Sequence, residues 1–457
     1  MRSALPVETD KTTQKQVYYW WRQRSSAIWR PHDNAFLSAM ASIQQDQTTA
    51  GSAPPSANVS ARLIESHGQV RGMMLLAEGL IETLAASTIE ISMDGTFGTN
   101  NAGHELLGVL AEMDGTGVPL AYCFLDTRDL PEDGCKINII KEVLNALKDR
   151  GIDPQFVGCD KDSAEIAAFR SVWPQSKIQL CYWHVLRAVR QRLASSIATS
   201  TKQYHAFEVT SIVPGVETCW GSTKGNRHDK RLCRCACKLQ VEKWDKQGKM
   251  ECSKEESVII IQLISRHFNE HTSFPTLLGT YLTVDELHRK QAKEAYDICR
   301  AKDWARVWAY LWVNWYCKEE WILWARGAGE KIPILKSTMV TESHWRLIKH
   351  DYLHRFARPR IDLVVCILRK RVIPTAHTRV TALQKGDHRM ARPAWRAQFV
   401  KAWRKLEATD ISEGTCERYH TDIRTWTCAC LAFPLSRFLI CKHLLSLLPC
   451  ARWDHVA

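Results

Sequence analysis

Apolar positions along this chain recur with two different periods, and the switch between them predicts where helices give way to strands. Residues 1–47 read as helical and amphipathic, with Val17, Tyr18, Tyr19, Trp20 and Trp21 set beside Arg22 and Arg24. A core helix with a solvated basic face fits that segment better than a DNA-contacting one. The Gly, Pro and Ser content of Thr48–Ser60 then reads as a linker or long loop. From about Thr88 the period becomes two: Ile89, Ile91 and Met93 alternate with polar residues and lead into Asp94-Gly95-Thr96. Two apolar runs follow, Leu106–Glu112 and Val118–Leu125, joined by Met113-Asp114-Gly115-Thr116-Gly117, a hairpin signal. Ile137, Ile140, Leu144 and Leu147 then fall on one face of a helix over Lys136–Lys148. Gln155–Cys159 reads as a strand that ends at Asp160. Ser163–Trp173 reads as a helix stopped by Pro174, Lys177–Cys181 as a strand, and Val185–Leu193 as a basic helix.

Three antiparallel strands, then helix, strand, helix, strand and helix, is the order of the RNase H-like fold, an α/β sheet with helices packed on it. Residues 194–330 contain little strand patterning and read as an all-helical insertion in that core. Within it Trp304, Trp308, Trp312 and Trp315 are spaced along one helix face. They suit helix-core packing better than a base-stacking platform. The expected division is a helical N-terminal region over 1–85 with a linker near 48–60, the RNase H-like core over 86–193, and the insertion over 194–330. Residues 331–410 would complete the core with an acidic helix and basic helices, and a small cysteine-rich unit would occupy 415–457. No internal repeat of fixed period is present, which sets solenoid architectures aside.

Composition sharpens this picture modestly. The 457 residues are 45% hydrophobic and 24% charged, an ordinary globular balance, with an unusually large number of tryptophans, 18. A net charge of +13 favours a polyanionic partner, because lysines and arginines that displace phosphate counterions gain free energy. No window is apolar for long enough to span a membrane. Met1–Gln16 lacks the apolar stretch of a secretory leader. The 17 cysteines are therefore expected to be reduced, in cytosol or nucleus, where clusters mean metal sites or core packing.

Two chemistries stand out. Asp94 and Asp160 lie at or just past strand ends, and in an RNase H-like sheet the first and fourth strands are neighbours, so the carboxylates would converge. Paired carboxylates suit hard divalent cations, Mg2+ or Mn2+, of the kind that promote phosphodiester cleavage. An Asp-Gly step by itself is more often a turn. Asp162 competes with Asp160 but is better placed to cap the following helix. Near the C-terminus, Cys428-Ala429-Cys430, ten residues, then Cys441-Lys442-His443 supply three thiolates and one imidazole, the tetrahedral set of structural zinc. Trp426, Leu444 and Leu445 suit a small strand-strand-helix unit around them. A second group, Cys233, Cys235 and Cys237, matches no established spacing and reads as free cysteines in a basic loop.

The motifs also carry a family resemblance, over about Ile89 to Lys349. Val157-Gly158-Cys159-Asp160, a helix, Trp173-Pro174, Lys177-Ile178-Gln179-Leu180 and Cys181-Tyr182-Trp183-His184 together resemble the Mutator-like (MULE) transposase domain. Ser92-Met93-Asp94-Gly95-Thr96 looks like that family's first Asp motif. Thr338-Met339-Val340-Thr341-Glu342-Ser343 is similar to its third, without the usual Asn. Glu320 and Asp362 rival Glu342 by residue type but lack the following Ser-aromatic context. The arrangement C-x-C-x10-C-x-H resembles the SWIM zinc finger, which often follows MULE domains.

The resemblance implies a DNA transposase that cleaves and transfers strands with Mg2+ or Mn2+ on Asp94, Asp160 and Glu342. It places Cys181 and His184 in the surround of the site, with His184 near phosphate or metal. A buried Cys and a structural His at a strand-helix junction is the other reading of that pair. The resemblance further implies double-stranded DNA partners (terminal repeats and target), a homodimer or higher oligomer, no membrane attachment, and the nucleus. The alternative is a domesticated, non-catalytic regulator that binds zinc and DNA. Two departures from the family are expected to matter. Residues 1–80 contain no cysteine for an N-terminal zinc module, and the chain stops soon after His443.

Overall fold

The computed structural model describes residues 13–49, 58–66, 68–128, 134–195, 204, 206–217, 220, 250, 252–386, 394–412 and 414–448. The chain divides into two compact units. One takes in Met1–Val157, Asp162–Ser176 and Thr338–Arg392, the other Gly158–Lys161, Lys177–Ser337 and Pro393–Ala457. The architecture is α/β. Seven strands, β1 (Ser60–Ser66), β2 (Gln69–Leu76), β3 (Glu90–Thr96), β4 (Glu105–Met113), β5 (Thr116–Leu125), β6 (Phe156–Cys159) and β7 (Lys177–Leu180), lie in the order β1-β2-β5-β4-β3-β6-β7.

The predicted hairpin forms as β4–β5. Asp114 and Gly115 both take positive φ, 50° and 73°, the geometry of a two-residue primed turn that matches strand twist. β3 pairs antiparallel with β4 in the register Ser92↔Leu110, Asp94↔Gly108, Thr96↔Leu106. Behind the sheet, the helix Cys135–Lys148 buries Ile139, Ile140, Val143, Leu144 and Leu147. Its neighbour, Ser163–Val172, buries Ile166, Ala168 and Phe169.

Two strands, β1 and β2, occupy a stretch that the sequence suggested was helical. The pattern misleads because β2 is buried on both faces from Met73 to Leu76, so it shows no polar alternation. The helical expectation holds nearer the N-terminus, where helices run over Gln14–Trp29 and Ala35–Thr49. Val17, Tyr19 and Trp20, expected in a core, are instead more than half exposed. The linker proposed near 48–60 lies mostly outside the described residues, as do Cys233, Cys235 and Cys237.

In the second unit the described part of the 194–330 stretch is helical: Ala206–Ile212, Ser257–Asn269, Val284–Ala301, Ala305–Leu311 and Lys318–Trp324. Trp304, Trp308, Trp312, Trp315, Trp321 and Trp324 are all within 3% of complete burial. Three of the indole N–H groups are satisfied internally: Trp308 donates to Tyr204 Oη at 3.0 Å, Trp321 to Gln291 Oε1 at 2.8 Å, and Trp324 to the Trp315 carbonyl at 2.6 Å. The tryptophan ladder is therefore core, and no face of it is left to stack bases. No described helix is long and apolar enough to cross a membrane.

Candidate active site and metal centres

Asp94 does not sit in a turn. It lies inside β3, paired with Gly108 across the ladder, and its Oδ1 accepts the Gly95 N–H at 2.8 Å. The glycine after it serves a close approach: a Cβ there would run into the Glu105 carboxylate. Side chains directly opposite on paired strands share a face. Ser92, Asp94, Leu110 and Tyr122, with the bare α-carbon of Gly108, therefore make one face of the sheet.

The helix Met339–Leu347, which carries Glu342, lies on that face. Thr341 donates its hydroxyl to Ser92 Oγ at 2.8 Å, and both residues are fully buried. Tyr122 Oη and His344 Nε2 are 2.5 Å apart, and burial pushes His344 down to about 4, so the ring is neutral near pH 7. Trp345 lies over Gly108 so tightly that a Cβ would come within 2.7 Å of its ring. These contacts seat the helix that bears Glu342 on the sheet face that bears Asp94, and both acids are half-buried. Lys349 follows on the next turn. Burial lowers its amine, while the nearby Asp94 charge pulls it back up.

The rival acids are committed elsewhere. Asp362 is fully buried and held by Arg360 at 2.9 Å. Glu320 pairs with Lys161 at 3.0 Å. Asp162 caps the helix Ser163–Val172 by accepting from the Ala164 and Glu165 amides and also binds Lys136 at 3.0 Å.

Asp160, one residue past β6, falls in the second unit together with Cys181 and His184. Cys181 is the N-cap residue of the helix Tyr182–Ala194, and its N–H reaches the Cys159 carbonyl at 3.0 Å, which sets Asp160 beside the start of that helix. His184 Nδ1 stands 2.5 Å from Asp160 Oδ1. Burial opposes charge on His184, but the contacts with Asp160 and Cys181 win and hold the imidazolium up to about 10. One ligand atom from each of the three residues lies within 4.8 Å of the others.

Cys428, Cys430, Cys441 and His443 also converge within 4.8 Å, and all four are buried. Around them close Phe433 and Leu444, with Phe274, Tyr419, Trp426 and Leu439 packed outside. Cys428 Sγ lies 3.5 Å from His443 Nδ1. Hydrogen bonds from Cys430 and Cys441 hold the Cys428 thiol far below its ordinary range, while Cys430 and Cys441 are pushed up beside it. Three thiols and one imidazole gathered in this way are a donor set that could hold a zinc ion. The expected strand-strand-helix unit is not what surrounds them. Among the described residues there is a single bridge, Asp422↔Thr427, with short helices Thr415–Arg418, Ala432–Leu435 and Lys442–Ser446. His420, Trp426 and Leu439 in this stretch take positive φ.

Residues 90–188 match the family model of the MULE transposase domain. The chain carries a MULE transposase domain. Over 454 residues it is 22% identical to the mating-type protein ALPHA3 of Kluyveromyces lactis, an alignment that takes in 93% of this chain and 48% of that protein. The chain therefore spans about half the length of that curated relative. Among solved structures, a Drosophila P element transposase strand transfer complex aligns with 11% identity and a TM-score of 0.31, over 79% of this chain and 98% of that one.

The MULE domain so delimited contains Asp94, Asp160, Cys181 and His184, while Glu342 and the Cys428–His443 cluster lie beyond it. Gly108, Tyr122 and Trp345, which help seat the Glu342 helix, escaped the sequence reading, and Thr341 was read only as part of the third motif. Gly108 sits in an apolar strand and Trp345 more than two hundred residues later, so only pairing in space relates them. A glycine within a continuous hydrophobic strand was the available signal.

Proposed function

We propose that this chain is a MULE-type DNA transposase in which Asp94, Asp160 and Glu342 hold Mg2+ or Mn2+ for strand cleavage and transfer, with a SWIM-type zinc unit at Cys428, Cys430, Cys441 and His443. The observation that carries this reading is the seating of the Glu342 helix on the face of β3 that bears Asp94, with Thr341 bonded to Ser92. The strand order supports an RNase H-like core, since β3 and β6, first and fourth in the run that begins at β3, are neighbours. The donor set is carboxylate oxygen, which fits hard divalent ions. When bound, such ions supply Lewis-acid stabilisation to the attacking and leaving oxygens of a phosphodiester. The chain's own residues have separate tasks. Asp94 and Glu342 would supply carboxylates to the ions, His184 holds a proton against Asp160, and Lys349 places a cation beside Asp94.

Double-stranded DNA, terminal repeats and target, is the proposed substrate, and the net charge of +13 favours it. A homodimer or higher oligomer acting in the nucleus completes the reading. Full-length protein is expected to nick or join supercoiled or end-mimicking DNA with Mn2+, and Asp94→Ala or Glu342→Ala to abolish this. Cleavage that survives either substitution overturns the assignment.

One observation favours a second reading. The aligned relative is a mating-type protein, and a non-catalytic regulator that binds zinc and DNA would keep the fold and the cysteine cluster without the chemistry. That reading predicts zinc-dependent DNA binding with no metal-dependent cleavage by the unaltered chain.

A further inference from the structure

Asp160, Cys181 and His184 are not an all-oxygen set, and this mixture has a consequence for which metal the site selects. We propose that these three side chains form a second zinc site, in which Zn2+ takes Cys181 Sγ, His184 Nδ1 and a carboxylate oxygen of Asp160 and leaves one position open to water.

The geometry is nearly assembled. The ligand atoms lie within 4.8 Å of one another, with Cys181 buried and the other two half-buried. His184 Nδ1 and Asp160 Oδ1 are both shielded from solvent and stand 2.5 Å apart as an ion pair, and Zn2+ would take the place of the proton between them. Two ligands about 2.0 Å from one tetrahedral zinc stand roughly 3.3 Å apart, so entry of the ion asks this pair to open by less than about 1 Å.

The scaffold holds the donors still. Cys181 and His184 are separated by one helical turn at the start of Tyr182–Ala194, which puts them on one face. The Cys181 N–H is anchored to the Cys159 carbonyl at 3.0 Å, and the Tyr182 N–H to the Lys336 carbonyl at 3.0 Å. Trp183 packs edge-on to the His184 ring, with centroids 4.6 Å apart, and limits its rotation.

The chemistry selects the metal. Thiolate sulfur and imidazole nitrogen are poor ligands for Mg2+, which demands oxygen, and good ones for Zn2+. Three protein ligands with an open position also differ from the four-ligand Cys428–His443 cluster, which is closed. Zinc in the second site withholds Asp160 from Mg2+ or Mn2+ and so arrests strand cleavage. That consequence, unlike the site itself, rests on the role proposed above for Asp160.

Cobalt titration of zinc-free, full-length protein tests the site directly, because Co2+ replaces Zn2+ and its thiolate charge-transfer absorption reports sulfur ligation. Unaltered protein should bind about one more equivalent than His184→Gln or Cys181→Ser protein. Cys441→Ser should leave that equivalent in place, with the weak absorption of a single thiolate. Equal stoichiometry in unaltered and His184→Gln protein, with both folded by circular dichroism, overturns the proposal. His184→Gln decides the matter if Cys181→Ser misfolds. A second arm adds micromolar zinc to the Mn2+ cleavage assay and should abolish cleavage reversibly on chelation. If cobalt binds but zinc-free protein never cleaves DNA, the transposase reading fails and the zinc site stands. Cleavage without the extra cobalt equivalent sinks the zinc site alone.

Discussion

At the scale of single residues, the position of the Glu342 helix depends on buried neighbours. Thr341 and Ser92 are fully buried and share a hydrogen bond of 2.8 Å, so Thr341→Val removes a buried donor and costs about 1–3 kcal/mol in denaturant unfolding. Gly108→Ala drives a methyl group to within 2.7 Å of the Trp345 ring. Overpacking of this kind costs about 1–3 kcal/mol, and it should also shift the Glu342 helix and lower cleavage more than stability alone explains. Unchanged cleavage in a folded Gly108→Ala protein would show that Trp345 does not set the carboxylate's place. The place of Asp160 just past β6 was readable because the strand pattern ends there. The place of Asp94 was read only in part, since it lies within its strand and not at its end. The contacts that seat Glu342 were not readable, because they join positions far apart in the chain.

At the scale of elements, the hairpin and the helices behind the sheet were legible because their local signals agree with their burial. Asp114-Gly115 needs positive φ at both residues, and the Cys135–Lys148 helix has one apolar face to bury. β2 was illegible because burial on both faces erases the period of two. The aromatic helices lie between these cases, with their spacing readable and their burial only inferred. Trp308→Ala removes a fully buried indole that donates to Tyr204, and a loss of about 3–5 kcal/mol is expected in thermal or urea unfolding. A near-neutral effect there, with weakened DNA binding instead, would restore the base-stacking reading. The cysteine cluster was legible as a ligand set but not as a fold, since four residues at the right spacing specify a tetrahedron and little of the backbone around it. Cys441→Ser should lose about one equivalent of zinc by metal analysis and melt earlier than the unaltered chain.

For the whole molecule, the buried ionisable groups of the helical unit predict acid sensitivity. Burial, helped by the Arg326 charge, depresses His271 from its ordinary 6.5 to about 4, so the folded state resists a proton that the unfolded chain accepts. Stability from this group is complete above about pH 6.5 and is lost as pH falls toward 4, a window worth at most roughly 3 kcal/mol. Glu294 adds to the trend at lower pH. Burial raises its carboxyl, but His267 and Arg266 outweigh that and hold it at about 2, so its contribution fades as pH drops below its ordinary 4.5. A urea midpoint that falls between pH 7 and pH 5, and recovers in His271→Phe, checks the sign.

The central claim is that Asp94, Asp160 and Glu342 share a divalent-metal site. Fe2+ in place of Mg2+, with ascorbate and peroxide, cuts a polypeptide backbone next to wherever the ion sits. The account predicts cuts clustered near residues 94, 160 and 342, with those at 94 and 342 lost together in Glu342→Gln. Cuts confined to the neighbourhood of Asp160 and His184, with none near Asp94 or Glu342, would contradict it.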